Sequence, residues 1–498
     1  PPRRAEAPPP GPRLLPAIAG RMPVLDAVRA YQHAGTMPFS TPGHKLGAGT
    51  SDELHDLLGP GVFAADIWLN TAAHDTAVRD AEALAAATWG AGRTFFLVNG
   101  SSSGNHAFLL ATLSPGDEVV LGRDIHTSLL TALILTGARP IYVAPQLRPE
   151  LDLGLGPDPA AIAAALNAHP AAKLVVLTSP TYWGITADVA AIAAVAHARG
   201  VPLYVDEAWG PHFPFHPNLP PSAIASGADG AVTSPHKLLA GLSQAAMLHA
   251  GGPRVDLARL ATVVTLTQTT SPLLPILASL DACRQQMAAR GEALLDRALA
   301  LAGSASHRLQ RLPGVTVLDA ARLGLPPWRH DPTRLVIDVQ GLGLTGFEAE
   351  RRLRQHFGLA PEMSDLLGVV CLITIGDTEA SVDRLVAAFA ALAAGRRPPR
   401  RPGPGNMRSM GEIVAPGRQA LTPRDAFFAP TRLVSLAEAA GEVVAELVVP
   451  YPPGIPVVAP GEVVTAAKVD YLRQVVARGG LVRGVADPTL RTLRIVAP

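Results

Sequence analysis

Between residues 93 and 235 the chain alternates two kinds of apolar segment. The runs "RTFFLVNG" (93–100), "DEVVLG" (117–122), "RPIYVAP" (139–145), "AKLVVLTSP" (172–180), "VPLYVDEA" (201–208) and "GAVTSP" (230–235) are short and continuously apolar at their centres. Between them lie helix-period stretches such as "DPAAIAAALNAH" (158–169) and "DVAAIAAVAHARG" (188–200). Strands apolar on both faces, joined by helices, predict an α/β fold with a mostly parallel sheet. Asn99, Ser179, Asp206 and Ser234 stand at the C-terminal ends of the predicted strands. That is the edge at which open α/β sheets bind ligands.

The pattern then changes. A long helix is predicted through "ILASLDACRQQMAARGEALLDRALALAGSASHRL" (276–309). Strands follow at "VTVLDA" (315–320), "TRLVIDVQ" (333–340) and "GVVCLITIG" (368–376), with a helix at "GFEAERRLRQHFG" (346–358). The resulting division is a Pro-rich disordered tail (1–20), a large domain (21–270), a smaller α+β domain (271–395), a Gly/Pro/Arg-rich linker (396–419) and a small C-terminal α+β domain (420–498). The start lacks the apolar core of a signal peptide, and no run is long enough to cross a membrane.

Composition narrows the chemistry. A net charge of +1 without a basic stripe argues against a nucleic-acid partner. Cys283 and Cys371 form no spaced pair, which suits a reduced, cytoplasmic setting. Of 42 basic side chains only four are lysines: Lys45, Lys173, Lys237 and Lys468. Arginine does not give up its proton, so any reaction needing a free amine has four candidates.

One of them sits in "GAVTSPHKLLAGLSQAAMLH" (230–249), where Lys237 lies between a strand and an apolar stretch (Leu238, Leu239, Leu242, Met247) expected to be helical. A lysine held among apolar groups has a depressed pKa and becomes a usable nucleophile. On the same sheet edge, "VNGSSSGNHAFLLATL" (98–113) offers hydroxyls and free N–H groups where a helix is expected to begin near Asn105. That is a phosphate cradle, although an ordinary serine-capped helix would show the same residues. Asp206, in "LYVDEAWGPHF" (203–213), is a carboxylate at a strand end, costly to bury without a cation or several donors. Cradle, carboxylate and lysine are together the three handles of pyridoxal 5'-phosphate. His126, after "EVVL", could lie flat on the coenzyme ring. His212 and His216 are four apart, but Pro211, Pro214 and Pro217 preclude a regular helix carrying both, and no metal site is expected.

The strings "TPGHKLG" (41–47), "NGSSSGNH" (99–106), "GRDIHTS" (122–128), "DEAWGPHFPFHP" (206–217), "SPHKLLAGLSQAAMLH" (234–249), "QTTSP" (268–272), "LTPRDAFFA" (421–429) and "VPYPPGIPVVAPGE" (449–462) resemble, in this order, the Orn/Lys/Arg decarboxylases. The resemblance covers about residues 22 to 465, and is to the short form without an N-terminal wing domain. It implies a fold type I, aspartate-aminotransferase-like large domain and decarboxylation of arginine, lysine or ornithine. It also implies that Lys237 binds the coenzyme aldehyde, that Asp206 faces the pyridine nitrogen and that His126 stacks on the ring. Ser102, Ser103, Ser234 and His236 match phosphate contacts, Thr269 a phosphate contact across a dimer interface, and Ala208 the small residue under the ring. The family is at least dimeric, with shared active sites.

Lys237 or His236 would return a proton to Cα, and Glu362 and Asp365 in "PEMSD" are candidates for reading the distal cation of the substrate, unless they are plain turn acids. The chain departs from the family in "NGSSS" for a threonine-rich turn, in Pro235 for a threonine, in Trp209 for a frequent histidine and in His106 for a frequent lysine. Trp209 and Pro235 bear on substrate identity. An aminotransferase or other lyase on the same scaffold, and a regulatory pseudoenzyme, remain open at this level.

Overall fold

The computed structural model describes residues 20–148, 151, 153–395, 414–451, 454–477 and 479–498. The expected tail, apart from Gly20, and residues 396–413 of the expected linker lie outside them; beyond that gap Val414 is buried.

The large unit contains β1 (Arg93–Leu97), β2 (Glu118–Gly122), β3 (Arg139–Val143), a hairpin of β4 (Pro145–Arg148) and β5 (Leu153–Pro157), β6 (Leu174–Thr178), β7 (Leu203–Asp206), β8 (Gly230–Thr233) and β9 (Ala246–Ala250). Seven of them form one sheet in the order β1-β9-β8-β7-β6-β2-β3. From β8 to β3 the strands are parallel, while β9 runs against both β8 and β1. The chain leaves β2 for β3 on one side and meets β6 on the other, so the order reverses there. Such a reversal opens a crevice at the C-terminal edge.

Two local expectations are corrected. The stretch after Lys237 is helical only over Pro235–Leu238; after a turn with Gln244 at φ 77, Met247 enters strand β9. All five β9 residues are buried, and so short a run has no periodicity to tell strand from helix. The serine segment is itself helical: α1 (Gly100–Thr112) starts five residues before the expected Asn105, through a turn at Gly100 with φ +70. The close packing of α1 has a visible cause. A Cβ on Gly104 would come 2.7 Å from Val232 Cγ2 and 2.8 Å from Leu97 Cδ1, so glycine lets the helix lie down on β8 and β1. After β2 comes α2 (Thr127–Thr136).

The long helix α3 (Leu274–Gln310) begins after the expected division at residue 270, yet it packs in both units. Its first half, Leu274 to Leu295, packs into a core of the large unit; its last turns, Leu301 to Leu309, pack into that of the small one. The small unit is an antiparallel sheet ordered β10 (Thr316–Leu318), β11 (Arg334–Asp338), β13 (Gly368–Leu372), β12 (Met363–Ser364). Helices α4 (Gly346–Phe357) and α5 (Glu379–Ala394) cover it. In the last unit β14 (Thr431–Ser435) pairs with β17 (Thr492–Val496), and β15 (Val449–Tyr451) with β16 (Leu481–Arg483).

Replacing Gly104 by alanine is expected to push α1 off the sheet and to cost about 1–3 kcal/mol in denaturant unfolding. Unchanged stability would show that the helix has room to spare.

Candidate active site

The C-terminal sheet edge brings the candidate residues together. Asp206 ends β7 and is buried. Its Oδ2 accepts a hydrogen bond from Asn105 Nδ2 at 2.8 Å and its Oδ1 one from the Ala208 N–H at 3.1 Å. Asn105 was not among the residues expected to act, yet it is the hub. Its Nδ2 also donates to Ser128 Oγ at 2.8 Å, and its Oδ1 accepts from Tyr204 Oη at 2.8 Å. A fully buried asparagine in the second turn of an apolar helix was the available signal, since buried amides need partners.

His126 is the N-cap of α2. Its Nδ1 accepts the Ser128 N–H at 3.2 Å and lies 2.8 Å from Ser128 Oγ. One chain of hydrogen bonds thus runs from His126 through Ser128 and Asn105 to Asp206. Burial holds the His126 imidazole below its ordinary pKa, opposed by Asp206 and reinforced by Lys237 and His106.

Lys237 lies on the one-turn helix Pro235–Leu238. Burial pushes its amine down to about 8; Asp206 pulls the other way, Arg334 adds to the fall, and Glu362 opposes it. These influences put Lys237 in the field of Asp206, as the sheet order requires, because β7 and β8 are neighbours. Its Nζ stands 4.0 Å from the centroid of the Trp209 ring, and the Arg334 guanidinium stands 4.1 Å from that same centroid. Two cations on one indole explain why a tryptophan is useful here: its face attracts both without adding a negative charge.

Arg334, read in the sequence only as part of a strand, opens β11 of the small unit and is buried. Its Nη1 donates to the Tyr182 carbonyl at 2.6 Å, and its Nε lies 3.9 Å from Asp331 Oδ2. Burial lowers its pKa to about 10, against the pull of Asp331, Glu362 and Tyr182. Its Nη2 has no hydrogen-bond partner among the described residues. Asp331 is pulled down to about 2 by His212, Arg334 and Thr333, which together overcome its burial. His212 Nε2 lies 3.2 Å from Asp331, and His216 Nε2 lies 2.9 Å from Asp296 Oδ1, so each histidine faces its own carboxylate. Among the described residues no cluster fit to hold a metal ion is found.

The other candidates divide. His236 Nδ1 donates to the Ala245 carbonyl at 2.7 Å, leaving Nε2 as its free atom, and burial lowers its pKa. Ser103 Oγ is turned back onto the Gly100 carbonyl at 2.8 Å, while Ser102 is half-buried in the same turn. Ser234 Oγ is fully buried without a partner among the described residues, and no side chain caps the N-terminus of α1. Ala208 is buried; its carbonyl accepts from the Ser234 N–H. Thr269 is exposed between helix Leu257–Thr267 and α3. Glu362 stands at the rim and feels both Arg334 and Lys237. Asp365 is spent on its own turn: it accepts from the Leu367 and Gly368 N–H groups at 2.8 Å and from Trp183 Nε1 at 3.3 Å. Among the described influences on Lys237 it has no part.

A depressed lysine and a buried carboxylate at neighbouring strand ends, on the C-terminal edge of an open parallel sheet, mark this edge as the candidate active site of an enzyme. Comparison with known proteins makes this specific. Residues 22–323 match the model of the Orn/Lys/Arg decarboxylase major domain, and residues 412–484 that of the Orn/Lys/Arg decarboxylase C-terminal domain. The chain is 36% identical over 483 residues to arginine decarboxylase of Halalkalibacterium halodurans, covering 95% of this chain and 97% of that one. It is 36% identical over 476 residues to arginine decarboxylase of Bacillus subtilis, covering 93% and 96%. The structure of lysine decarboxylase A from Pseudomonas aeruginosa superposes with a TM-score of 0.81 at 24% identity, over 97% of this chain and 81% of that one. The chain belongs to the Orn/Lys/Arg decarboxylase family and is an amino-acid decarboxylase. Among the described residues no helix is long and apolar enough to cross a membrane.

The pKa of Lys237 gives a direct test. A lysine reacts as the neutral amine, so acylation of Lys237 in coenzyme-free protein, followed by mass spectrometry, is expected to rise through pH 8. Asp206 raises this pKa, so Asp206→Asn should shift the midpoint to lower pH. A midpoint near the ordinary 10.5 would contradict the burial.

Proposed function

We propose that the protein decarboxylates a basic amino acid with pyridoxal 5'-phosphate, and that the amino acid is arginine. The observation that carries the coenzyme is the buried Ser234 Oγ, without a partner among the described residues, three residues before the depressed Lys237 and directly after β8, the strand beside that of Asp206. An orphaned hydroxyl is costly to keep, and a phosphate oxygen would satisfy it. The uncapped N-terminus of α1 fits the same phosphate. Arginine is favoured by the names of relatives that share over a third of their residues with this chain along nearly its whole length.

In this reading Lys237 would hold the coenzyme through its aldehyde, Ser102, Ser103, Ser234 and His236 would hold its phosphate, His126 would pack against its ring and Ala208 would leave room for it. When bound, the coenzyme supplies an electron sink for the pair left on Cα as carbon dioxide departs. Asp206 would supply the counter-charge to a proton on the ring nitrogen, and Asn105 holds that carboxylate in place. Arg334, with a free Nη2 edge, orients the α-carboxylate; Glu362 at the rim reads the distal guanidinium. The reaction consumes one proton, which must reach Cα. Lys237 is the better donor: with a pKa of about 8 its amine is mostly protonated at pH 7, whereas His236 is held neutral by burial.

We also propose a homodimer with shared sites. Phe39 is 94% exposed and Leu266 77%, and Leu242 and Leu273 are also exposed, so apolar side chains flank both the Lys237 segment and Thr269. Apolar exposure of this kind marks an interaction surface. A second copy there would bring Thr269 to its neighbour's phosphate.

Incubation of the holoenzyme with arginine, lysine and ornithine, with mass spectrometry of the amines, is expected to give agmatine and carbon dioxide fastest. Preference for lysine or ornithine would overturn the substrate assignment, and a new amino acid formed from added 2-oxoglutarate would point to transamination. Lys237→Ala should abolish turnover and the coenzyme's visible absorbance. Asp206→Asn should bind the coenzyme but slow turnover on the order of 10²–10³-fold. Sedimentation at micromolar concentration should give a dimer; a monomer would remove the shared site.

A further inference from the structure

Two polar contacts between the C-terminal unit and the large unit bracket one helix. The first is fully buried. Arg123, directly after β2, donates from Nε and Nη2 to Glu462 Oε1 and Oε2 at 3.0 and 2.8 Å. Its Nη1 and Nη2 also donate to the carbonyls of Pro456 and Val457 at 2.7 and 3.1 Å. Lys468 Nζ, equally buried, donates to Glu462 Oε2 at 3.3 Å. Arg123 is three residues before His126, the N-cap of α2. The second point is at the far end of that helix: Arg424, exposed, donates from Nη1 to the Ile134 and Leu135 carbonyls at 3.1 and 3.0 Å. These carbonyls belong to the last turn of α2, where carbonyl oxygens have no N–H donors within the helix.

The choice of groups is informative. A buried ion pair is a poor way to gain stability, since desolvation offsets most of the attraction and apolar residues of like volume do as well or better. A bidentate arginine–carboxylate pair with two further carbonyl bonds does something apolar packing does not: it sets position and orientation. Here it sets the start of the segment that carries His126 and Ser128, and Ser128 holds the Asn105 amide that holds Asp206.

We propose that the C-terminal domain positions the active site by holding α2 at both ends, with Glu462 (through Arg123) and Arg424 as positioning residues for His126. This rests on the reading of His126 as the residue against the coenzyme ring. Arg424 is the practical handle, because an exposed arginine at a helix C-terminus adds little to stability and its loss leaves the protein folded.

The test uses holoenzyme carrying Arg424→Ala, Arg424→Lys or Glu462→Gln, alone and with His126→Ala. In Arg424→Ala the amides of residues 123–136 are expected to exchange several-fold faster, with melting nearly unchanged. The kcat should fall several-fold with KM little altered, and Arg424→Lys should restore both. In the His126→Ala background, Arg424→Ala should cost no further activity, because its effect runs through that imidazole. Glu462→Gln should do the same more strongly; if it fails to fold, the Arg424 pair decides alone. Unchanged amide exchange, or an equal loss of kcat with and without His126, overturns the proposal. Exchange does not depend on the chemistry. A failure of the coenzyme reading would instead appear as Lys237→Ala and His126→Ala proteins with unaltered coenzyme absorbance.

Discussion

The site depends on a buried carboxylate and a half-buried, largely desolvated amine placed at the neighbouring ends of β7 and β8. Neither tolerates burial alone: desolvation depresses the Lys237 amine, and Asp206 survives only because Asn105 and the Ala208 N–H solvate it. Removing water from both makes each more useful. A larger fraction of the amine is unprotonated near neutral pH than in a free lysine, and the carboxylate acts through a low dielectric on whatever faces it. The parallel sheet enforces the pairing, since adjacent strands present their C-terminal ends to the same crevice.

The small unit adds charge to this crevice from the opposite side. Arg334 arrives on β11, and its position is set by contacts across the seam: the Tyr182 carbonyl takes Nη1, and Asp331, faced by His212 of the large unit, stands near Nε. Trp209 lies under both Arg334 and Lys237. Two like charges in one buried pocket repel, and Arg334 does contribute to the low pKa of Lys237. The indole face and the rim carboxylate of Glu362 make that arrangement tolerable without neutralising it. A substrate bearing a carboxylate and a distal cation complements this pattern of charges.

The C-terminal unit is the least conspicuous contributor. It reaches the large unit through a buried triad of Arg123, Glu462 and Lys468 and through Arg424 at the end of α2. Its Ala459 lies within the core formed by α1, α2 and the sheet. Three units separated by hundreds of residues thus converge on the ends of four neighbouring strands and one helix.

The sequence by itself determined the parallel sheet, because continuous apolar runs between helices leave few other architectures, and it determined Lys237 and Asp206, because a charge at the end of such a run needs a reason. The scarcity of lysine made the first of these legible without any structure. Tertiary structure decided the rest. Strand β9 was unreadable because five buried residues carry no period, and α1 began early, at a left-handed turn on Gly100 whose carbonyl takes the Ser103 hydroxyl. Asp365 and Glu362 look alike in sequence, but one is consumed by its turn and the other faces the site. Arg334 and Arg123 stayed hidden because the Tyr182 carbonyl and Glu462 that take them lie 152 and 339 residues away, and only folding brings a buried polar group to the atoms that make its burial tolerable.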